Sequence, residues 1–323
     1  MMNKYIVTGA AGFIASVVST KLLESGYEVV GIDNLNDAYD ITIKNWRLEK
    51  LQDYANFSFI QNDIATSSRS WTDSFKNADS VLHLAGRAGV RQSVETPHVY
   101  IESNVLGTLN VLEAVKDHNI QNIVIASTSS VYGSSLIQPY DEDSESSKVL
   151  SPYAASKKSA ETLAHAYHHL HGINTQILRF FTVYGPAGRP DMSIFRFIKG
   201  ISDGSEILLY GDGGERDFTY VDDIAEGVCQ ARDIEGYNII NLGGDNPVRI
   251  KKIIELIEKY TSKSASIKVV GRDPADVPST WANINTAKDV LSWEPNVSIE
   301  VGISRTVDWY EDNYDWAKKI DIY

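Results

Sequence analysis

A turn with almost no side chains separates the first predicted strand of this chain from its first predicted helix. Residues 5–8 are rich in β-branched side chains, residues 13–25 form an apolar helical segment, and glycines stand between them at positions 9 and 12. A glycine turn here lets a pyrophosphate touch backbone N–H groups at the positive end of the helix. A tight turn without a ligand is the alternative. The residues of the turn that we predict to bind a dinucleotide are Gly9, Gly12, Phe13 and Ile14.

An acidic residue closes the next predicted strand, residues 28–32. Asp33 follows the glycines by about 20 residues, where a carboxylate can accept hydrogen bonds from both ribose hydroxyls of NAD. No arginine follows it closely enough to neutralise a 2′-phosphate, so NAD is favoured over NADP. Asp63 and Ile64 end the third predicted strand, where an aspartate can hold an adenine. A simple turn aspartate is the alternative for that pair.

Short β-branched runs alternate with helical patterns through the first half of the chain. This order predicts an α/β fold, a Rossmann-type doubly wound parallel sheet with ligands at the carboxyl ends of its strands. We predict an NAD-binding domain at residues 1–180 and a smaller α/β domain for the substrate at residues 181–323. Residues 237–242 are predicted to return as a strand to the main sheet. The main predicted helices of the first half are residues 13–25, 100–117 and 151–171.

The composition argues against several classes of function. A formal net charge of −13 disfavours binding to nucleic acid or to an anionic membrane. No apolar stretch approaches the roughly 20 residues of a membrane span, and the first residues lack a signal-peptide pattern, so we expect a cytoplasmic protein. The single cysteine, Cys229, excludes an internal disulfide and a multi-cysteine metal site. We expect it to be a buried structural thiol, and we predict no metal.

A tyrosine and a lysine lie one turn apart near the start of the predicted helix at residues 151–171. Tyr153 and Lys157 therefore share one face of that helix. A free tyrosine titrates near 10, and work as a base near pH 7 needs a shift of about 3 units, or roughly 4 kcal/mol. A neighbouring ammonium and a positive nicotinamide ring can supply this in a poorly solvated pocket. Together with the dinucleotide turn, the pair predicts a redox site, although the same spacing alone is mostly structural.

These segments together resemble the extended short-chain dehydrogenase/reductase family, and within it the NAD-dependent nucleotide-sugar epimerases. The resemblance runs nearly from end to end of the chain. One departure is Ala15, where a third glycine usually stands; the two glycines nearest the phosphates remain. The resemblance is carried by the glycine turn, Asp33-Asn34-Leu35, His83-Leu84-Ala85, Asn104, residues 127–133, Tyr153 with Lys157, residues 216–223 and Trp309-Tyr310.

The resemblance implies a role for each of these residues. Tyr153 removes the proton of a sugar hydroxyl, Lys157 anchors the nicotinamide ribose, and Thr128 shares the substrate hydroxyl. The further NAD contacts that it implies are Asn34, Leu84, Ala85 and Asn104. The implied substrate contacts are Arg91, Thr128, Ser129, Ser130, Thr182, Arg189, Arg216 and Arg272. For Arg216 a solvated surface arginine is the alternative, and Arg272 lies one residue out of the usual register.

The residues after Thr128 bear on the type of reaction. Related nucleotide-sugar dehydratases carry acidic residues at the places of Ser129 and Ser130, where the acids eliminate water. A hydroxyl with an unshifted pKa is a poor general acid or base, so elimination is disfavoured. Epimerisation at carbon 4 needs only oxidation to a ketone, rotation of the ketone and reduction from the other face.

The segment at residues 179–192 is similar to that of UDP-glucuronate 4-epimerases. A 4-keto uronate is a β-keto acid that loses carbon dioxide when the bond to its carboxylate aligns with the carbonyl π system. A bidentate guanidinium and a hydroxyl can hold the carboxylate out of that alignment, and Arg189 with Thr182 would suit. The alternative is that Arg189 is a surface turn arginine.

Two other functions remain open at this point. One is a UDP-glucose or UDP-GlcNAc 4-epimerase, and the remote one is a non-catalytic dinucleotide-sensing regulator on the same fold. The resemblance also implies a homodimer joined through the helices at 100–117 and 151–171. Val105, Leu109 and Leu112 could supply the apolar stripe of that interface, or could equally face the monomer's own sheet.

Overall fold

The computed structural model describes residues 2–66, 70–133, 135, 137–271 and 277–322. Within these ranges no helix combines the length and the apolar character that crossing a membrane requires. The strands are β1 Lys4–Thr8, β2 Glu28–Asp33, β3 Phe57–Gln61, β4 Ser80–His83, β5 Asn122–Thr128, β6 Asn174–Phe180, β7 Thr182–Tyr184, β8 Glu206–Tyr210, β9 Glu215–Tyr220, β10 Tyr237–Leu242, β11 Pro247–Arg249 and β12 Ser266–Val270. The helices are α1 Phe13–Glu24, α2 Ile41–Gln52, α3 Val90–Glu95, α4 Pro97–Tyr100, α5 Gly107–Asp117, α6 Pro152–His171, α7 Ser193–Asp203, α8 Val221–Ala231, α9 Ile250–Thr261, α10 Asn285–Leu291, α11 Ile299–Asp312 and α12 Tyr314–Ala317.

Seven parallel strands form the central sheet, in the order β10-β6-β5-β4-β1-β2-β3. Its strands read as continuous apolar runs because helices cover both faces; Tyr5, Ile6 and Val7 of β1 are all inaccessible to solvent. The predicted Rossmann-type parallel sheet is thereby confirmed. The chain order reverses between β1 and β4, whose last residues Thr8 and His83 lie side by side. Ligands of such sheets bind at this reversal.

The two faces of the sheet are covered by different helices. On one face α1 and α8 pack together through residues such as Val18, Leu22 and Val228. On the other face α5 and α6 contribute Leu112 and Ala164 to a separate apolar cluster. Cys229 of α8 is buried, as predicted.

The residues after 181 build a second core and also return to the first. A three-stranded sheet of β11, β9 and β7 and a pair of β12 and β8 pack with α7, α9 and α11 around apolar residues such as Ile198, Ile257 and Val307. Strand β10 then pairs in parallel with β6 at the edge of the central sheet. Helix α10 packs against this edge through Ala287 and Leu291.

Two helical segments differ from the sequence prediction. The helix predicted at residues 100–117 is interrupted by a π-helical segment, Ile101–Leu106, that precedes α5. Such a bulge often marks a functional site, and here it carries the buried Asn104. Helix α2 was not predicted; it begins after Asp40, whose side chain accepts a hydrogen bond from the N–H of Thr42.

Candidate active site

The glycine turn lies at the point where the sheet reverses. Gly9 adopts a φ of +74°, and a Cβ there would come within 2.8 Å of the Cα of Ala85, the residue that follows β4 by two. A Cβ on Gly12 would lie 2.8 Å from the carbonyl oxygen of Gly9. Gly9 is therefore required for the turn to close against the chain that leaves β4, and Gly12 for the turn to pack against its own backbone.

The start of α1 is suited to an anion. Gly12 is its N-cap, and no side chain caps the helix. The first N–H groups of a helix have no acceptor within the helix, so those of Phe13 and Ile14 are directed to the space in front of it. Asp33 ends β2 beside this turn; its Oδ2 accepts from the N–H of Ala11 at 3.1 Å and its Oδ1 from that of Leu35 at 2.8 Å. The uncapped helix and the adjacent carboxylate fit the diphosphate and a ribose of a dinucleotide.

Asp63 and Ile64, the predicted adenine contacts, follow the end of β3. The Nδ2 of Asn34 donates to the Oδ2 of Asp63 at 2.9 Å, which joins the ends of β2 and β3. The Oδ1 of Asp63 accepts from the N–H of Ala65. Ile64 is buried and packs against Gly107, where an added Cβ would lie 3.1 Å from it. Contact of Asp63 and Ile64 with an adenine stays a prediction.

A buried chain of polar groups runs from β1 to the helix that carries the predicted base. The ring nitrogens of His83 lie 2.8 Å from the Oγ1 of Thr8 and 3.0 Å from the Oγ1 of Thr108. Thr108 donates to the carbonyl of Asn104, and the Nδ2 of Asn104 donates to the Oγ of Ser156. Burial lowers the pKa of His83 to about 3, so the ring is neutral.

The backbone after β4 is fixed by the same chain. The N–H of Ala85, which follows Leu84, donates to the Oγ1 of Thr8. The amide of Asn104 bonds both the N–H and the carbonyl of Arg87. Asn104 is fully buried and therefore shapes the predicted cofactor pocket through residues 85–87.

Tyr153 and Lys157 lie on the first turns of α6, and Thr128 ends β5 opposite them. Burial raises the pKa of the Tyr153 phenol, while a hydrogen bond with Thr128 and the charge of Arg189 act in the opposite direction. Burial also lowers the pKa of the Lys157 ammonium to about 8, against the pull of Glu161. The lowered pKa expected for Tyr153 is therefore not present in the protein alone. It needs a further positive charge beside the phenol.

Helix α6 is fastened to the sheet by residues that the sequence analysis missed. Glu161, one turn beyond Lys157, accepts hydrogen bonds from Ser127 on β5 and from Arg179 on β6. An acidic residue at i+4 on the same helix face was the available signal.

The predicted substrate residues Thr182 and Arg189 line one cavity together with Phe13 of α1. The Arg189 guanidinium forms an ion pair with Asp191, at 2.5 Å between Nη2 and Oδ2, and donates to the carbonyl of Ala88. Burial opposes the charge of Arg189, but Asp191 holds its pKa above the usual value. Asp191 was not among the residues predicted for the site, although it follows Arg189 by only two residues.

The other predicted substrate residues are more dispersed. Ser129 and Ser130 begin a 3₁₀ turn after β5, and Thr128 accepts from the N–H of Ser130. The Arg91 guanidinium stacks 3.8 Å from the ring centroid of Tyr210 on β8. Arg216 of β9 donates to the carbonyl of Pro278. Arg272 lies outside the described residues.

Arg47 of α2 is a further residue that the sequence analysis missed. It is buried, and its guanidinium donates to the carbonyl oxygens of Ala11, Ala187 and Gly188. It therefore ties the glycine turn to the loop that carries Arg189. No local signal predicts this contact, because Arg47 and Ala187 are 140 residues apart.

The sequence and the fold are similar to those of known nucleotide-sugar epimerases. Residues 5–243 match the model of the NAD dependent epimerase/dehydratase family. A UDP-glucuronate 4-epimerase of Thermodesulfobacterium geofontis is 50% identical, over 99% of this chain and 100% of that protein. The crystal structure of UDP-glucuronic acid 4-epimerase from Bacillus cereus in complex with UDP-glucuronic acid and NAD superposes with a TM-score of 0.91 at 37% identity, covering 96% of this chain and 100% of that one. UDP-N-acetylglucosamine 4-epimerase from Methanobrevibacter ruminantium, in complex with UDP-N-acetylmuramic acid, gives a TM-score of 0.89 at 29% identity and covers 97% and 100%.

Proposed function

The chain belongs to the NAD dependent epimerase/dehydratase family, and from this premise we propose that it interconverts UDP-glucuronate and UDP-galacturonate. It is an NAD-dependent UDP-sugar 4-epimerase that works through a 4-keto intermediate. The full-length match to a UDP-glucuronate 4-epimerase at 50% identity supports this assignment.

The observation that carries the choice of a uronate is the proximity of Arg189 to Tyr153. The carbonyl of Ala88 accepts hydrogen bonds from the Nη2 of Arg189 and from the hydroxyl of Tyr100. The ring of Tyr100 in turn packs against that of Tyr153, with 6.1 Å between the ring centroids, so the two groups share one site. In UDP-glucuronate the hydroxyl on carbon 4 and the carboxylate on carbon 5 are borne by neighbouring ring atoms. A base for the first and a cation for the second must therefore be neighbours too, as these residues are.

Each residue of the site then has a chemical task. Where NAD is bound, it would supply a hydride acceptor and donor for carbon 4 and a positive ring that favours the phenolate of Tyr153. Tyr153 takes the proton of the hydroxyl on carbon 4 and gives it back after the ketone has turned over. Thr128 orients that hydroxyl by a hydrogen bond, and Lys157 binds the nicotinamide ribose. Gly9, Gly12 and Asp33 hold the adenosine diphosphate end.

Neither Ser129 nor Ser130 supplies an acid for elimination, which supports epimerisation over dehydration. Thr182 and Arg189 hold the carboxylate so that the 4-keto intermediate does not lose carbon dioxide. Arg216 and Arg272 are proposed to bind the UDP diphosphate, and Arg91 is proposed to lie near the sugar.

The direct test is to incubate the purified protein with UDP-glucuronate and to separate the products by chromatography. We expect UDP-galacturonate to form without net consumption of NAD. Failure to form it, with rapid conversion of UDP-glucose or UDP-GlcNAc instead, would assign the protein to the alternative epimerases. Absence of any turnover with a panel of UDP-sugars would favour a non-catalytic regulator.

We further propose that the enzyme is a cytoplasmic homodimer. The location rests on sequence patterns alone. The dimer is supported by exposed apolar side chains on the π-helical segment, Ile101 and Leu106. Leu112, the third residue of the stripe considered for the interface, is buried in the monomer's own core and does not contribute. Sedimentation velocity at micromolar concentration tests the dimer, and a monomer there would contradict it.

A further inference from the structure

The ion pair between Arg189 and Asp191 leaves the guanidinium only partly available to a ligand. The Nε of Arg189 donates to the Oδ1 of Asp191 at 3.0 Å, and its Nη2 donates to the Oδ2 at 2.5 Å. Nη2 also donates to the carbonyl of Ala88 at 3.2 Å. The side edge of the guanidinium, formed by Nε and Nη2, is therefore already occupied by a carboxylate of the protein.

One nitrogen of the Arg189 guanidinium remains available to a ligand. Among the residues that the structure describes, its Nη1 has no hydrogen-bond partner, and the guanidinium otherwise lies over the ring of Tyr39 at 5.9 Å. The loop that carries it is held in place by Arg47, which bonds the carbonyls of Ala187 and Gly188. Both partners of the pair are shielded, with 19% and 15% of their side chains exposed. The plane of the guanidinium is thus set before any ligand binds.

We propose that Asp191 is a positioning residue that fixes the plane of the Arg189 guanidinium and so determines where the substrate carboxylate is held. This inference rests on the proposed function. A carboxylate that enters the site meets Nη1 in one orientation and cannot take the Nε edge. The position of the substrate carboxylate decides the orientation of the bond from carbon 5 to the carboxylate. Near the plane of the carbon 4 carbonyl this bond is stable. Perpendicular to that plane it aligns with the carbonyl π system and breaks.

Loss of this control has a defined chemical result. In the 4-keto intermediate the bond between carbon 5 and the carboxylate carbon breaks, carbon dioxide leaves, and the electron pair forms the enolate of the ketone. Carbon 5 then takes a proton from solvent. The two electrons that came from carbon 4 stay on the dinucleotide, so one reduced dinucleotide and one UDP-4-keto-pentose are left for each carbon dioxide released.

The test compares Asp191→Asn with the unaltered protein. Asparagine keeps the size and one acceptor but removes the second acceptor and the charge, so the guanidinium can rotate. We expect the ratio of carbon dioxide released to UDP-galacturonate formed to rise by about tenfold or more, since a small misplacement of reacting groups has effects of this size. Asp37→Asn is the matched control, because it removes an exposed carboxylate from the neighbouring Arg87 and leaves Arg189 alone. It should keep the ratio of the unaltered protein.

The outcomes separate the inference from the proposed function. If the unaltered protein forms UDP-galacturonate and Asp191→Asn leaves the ratio unchanged, Asp191 has no positioning role. If the unaltered protein forms no UDP-galacturonate, the proposed function itself is wrong. Asp191→Ala is the second variant in case Asp191→Asn does not fold, and Asp191→Glu, which restores both acceptors and the charge, should bring the ratio back toward that of the unaltered protein. The affinity for UDP-glucose, which has no carboxylate, should be the same in all variants that fold.

Discussion

Glu161 of α6 and Arg179 of β6 form a two-pronged ion pair inside the protein, with both nitrogen–oxygen distances at 2.9 Å. At most 3% of either side chain is exposed. The Oε1 of Glu161 also accepts from the Oγ of Ser127 at 2.6 Å. The pair therefore joins the helix that carries the proposed base to the two strands beside it.

Breaking this pair should destabilise the protein strongly. Glu161→Leu leaves the Arg179 charge buried without its partner, and we expect the free energy of unfolding to fall by about 3–5 kcal/mol. Unfolding in urea measures the change. The double variant Glu161→Leu with Arg179→Met removes both charges, and its free energy of unfolding should fall by clearly less. Equal losses in the single and double variants would show that packing, and not the unpaired charge, is responsible.

Removing the hydroxyl of Tyr153 should abolish most of the turnover without disturbing the fold. For Tyr153→Phe we expect kcat to fall by about 10²–10⁴, the usual contribution of a general acid–base group. Tyr100→Phe is the matched control, because the ring of Tyr100 packs edge-on against Tyr153 and its hydroxyl donates to the carbonyl of Ala88. Its kcat should stay within a few-fold. Equal activity of the two variants would remove Tyr153 from the mechanism.

Arg189 should discriminate between charged and neutral sugars. Arg189→Met keeps much of the volume but loses the charge, and we expect the affinity for UDP-glucuronate to fall by about 10- to 100-fold, the value of a charge-assisted hydrogen bond. The affinity for UDP-glucose should be nearly unchanged. Calorimetric titration measures both. The exposed Arg249, paired with Glu215 at the surface, provides the control variant Arg249→Met. Equal losses for both sugars with Arg189→Met would contradict the role.

Buried His83 should make the protein sensitive to acid. Its pKa is about 3 in the folded chain and near 6.5 when unfolded, so the unfolded state binds a proton first as the pH falls. Above about pH 6.5 His83 is neutral in both states and costs no stability. Between about pH 6.5 and pH 3 the free energy of unfolding falls, and at pH 5 it is lower by about 2 kcal/mol. Urea unfolding at pH 7.5 and pH 5 measures this difference.

The matched variants for this prediction are His83→Gln and His98→Gln. His83→Gln lowers stability at both pH values, but the difference between them should shrink by about 2 kcal/mol. His98 is exposed, and its replacement should leave the difference as it was. If His83→Gln kept the whole difference in free energy of unfolding between pH 7.5 and pH 5, groups other than His83 would be responsible for it.

Arg47 should couple the dinucleotide turn to the loop of Arg189. Arg47→Met leaves the carbonyls of Ala11 and Ala187 buried without their donor, and each such group costs about 1–3 kcal/mol. We expect weaker NAD binding and a lower midpoint of thermal unfolding. Thermal unfolding with and without NAD measures both. Arg47→Lys, which keeps the charge and one donor, should recover part of both. A midpoint of Arg47→Met that equals that of the unaltered protein would contradict this coupling.

The parts of the site that follow from local patterns could be predicted from the sequence. Gly9, Gly12 and Asp33 lie within one strand-turn-helix-strand unit, where the order of elements fixes their positions. Tyr153 and Lys157 are one helical turn apart, so their shared face follows from helix geometry. The parallel sheet follows in the same way from the alternation of strands and helices.

The contacts that act across the fold could not be predicted in this way. Glu161 and Arg179 meet because α6 packs on β6, and Arg47 reaches Ala187 because the second core closes over α2. The ion pair of Arg189 is different, since Asp191 is close in sequence. Nothing in the pattern tells which edge of the guanidinium it occupies. The π-helical turn at Asn104 was not predicted either, because the spacing of apolar residues does not reveal a single residue inserted into a helix.

The most direct measurement follows the hydrogen on carbon 4. UDP-glucuronate that carries deuterium at carbon 4 is incubated with the purified protein in ordinary water, and the UDP-galacturonate formed is analysed by mass spectrometry and NMR. If hydride leaves and returns within one closed site while Tyr153 handles only the hydroxyl proton, the deuterium stays at carbon 4 of the product. Replacement of the label by hydrogen from the solvent would contradict the account, since it would show that the configuration is reset by removal of a proton from carbon.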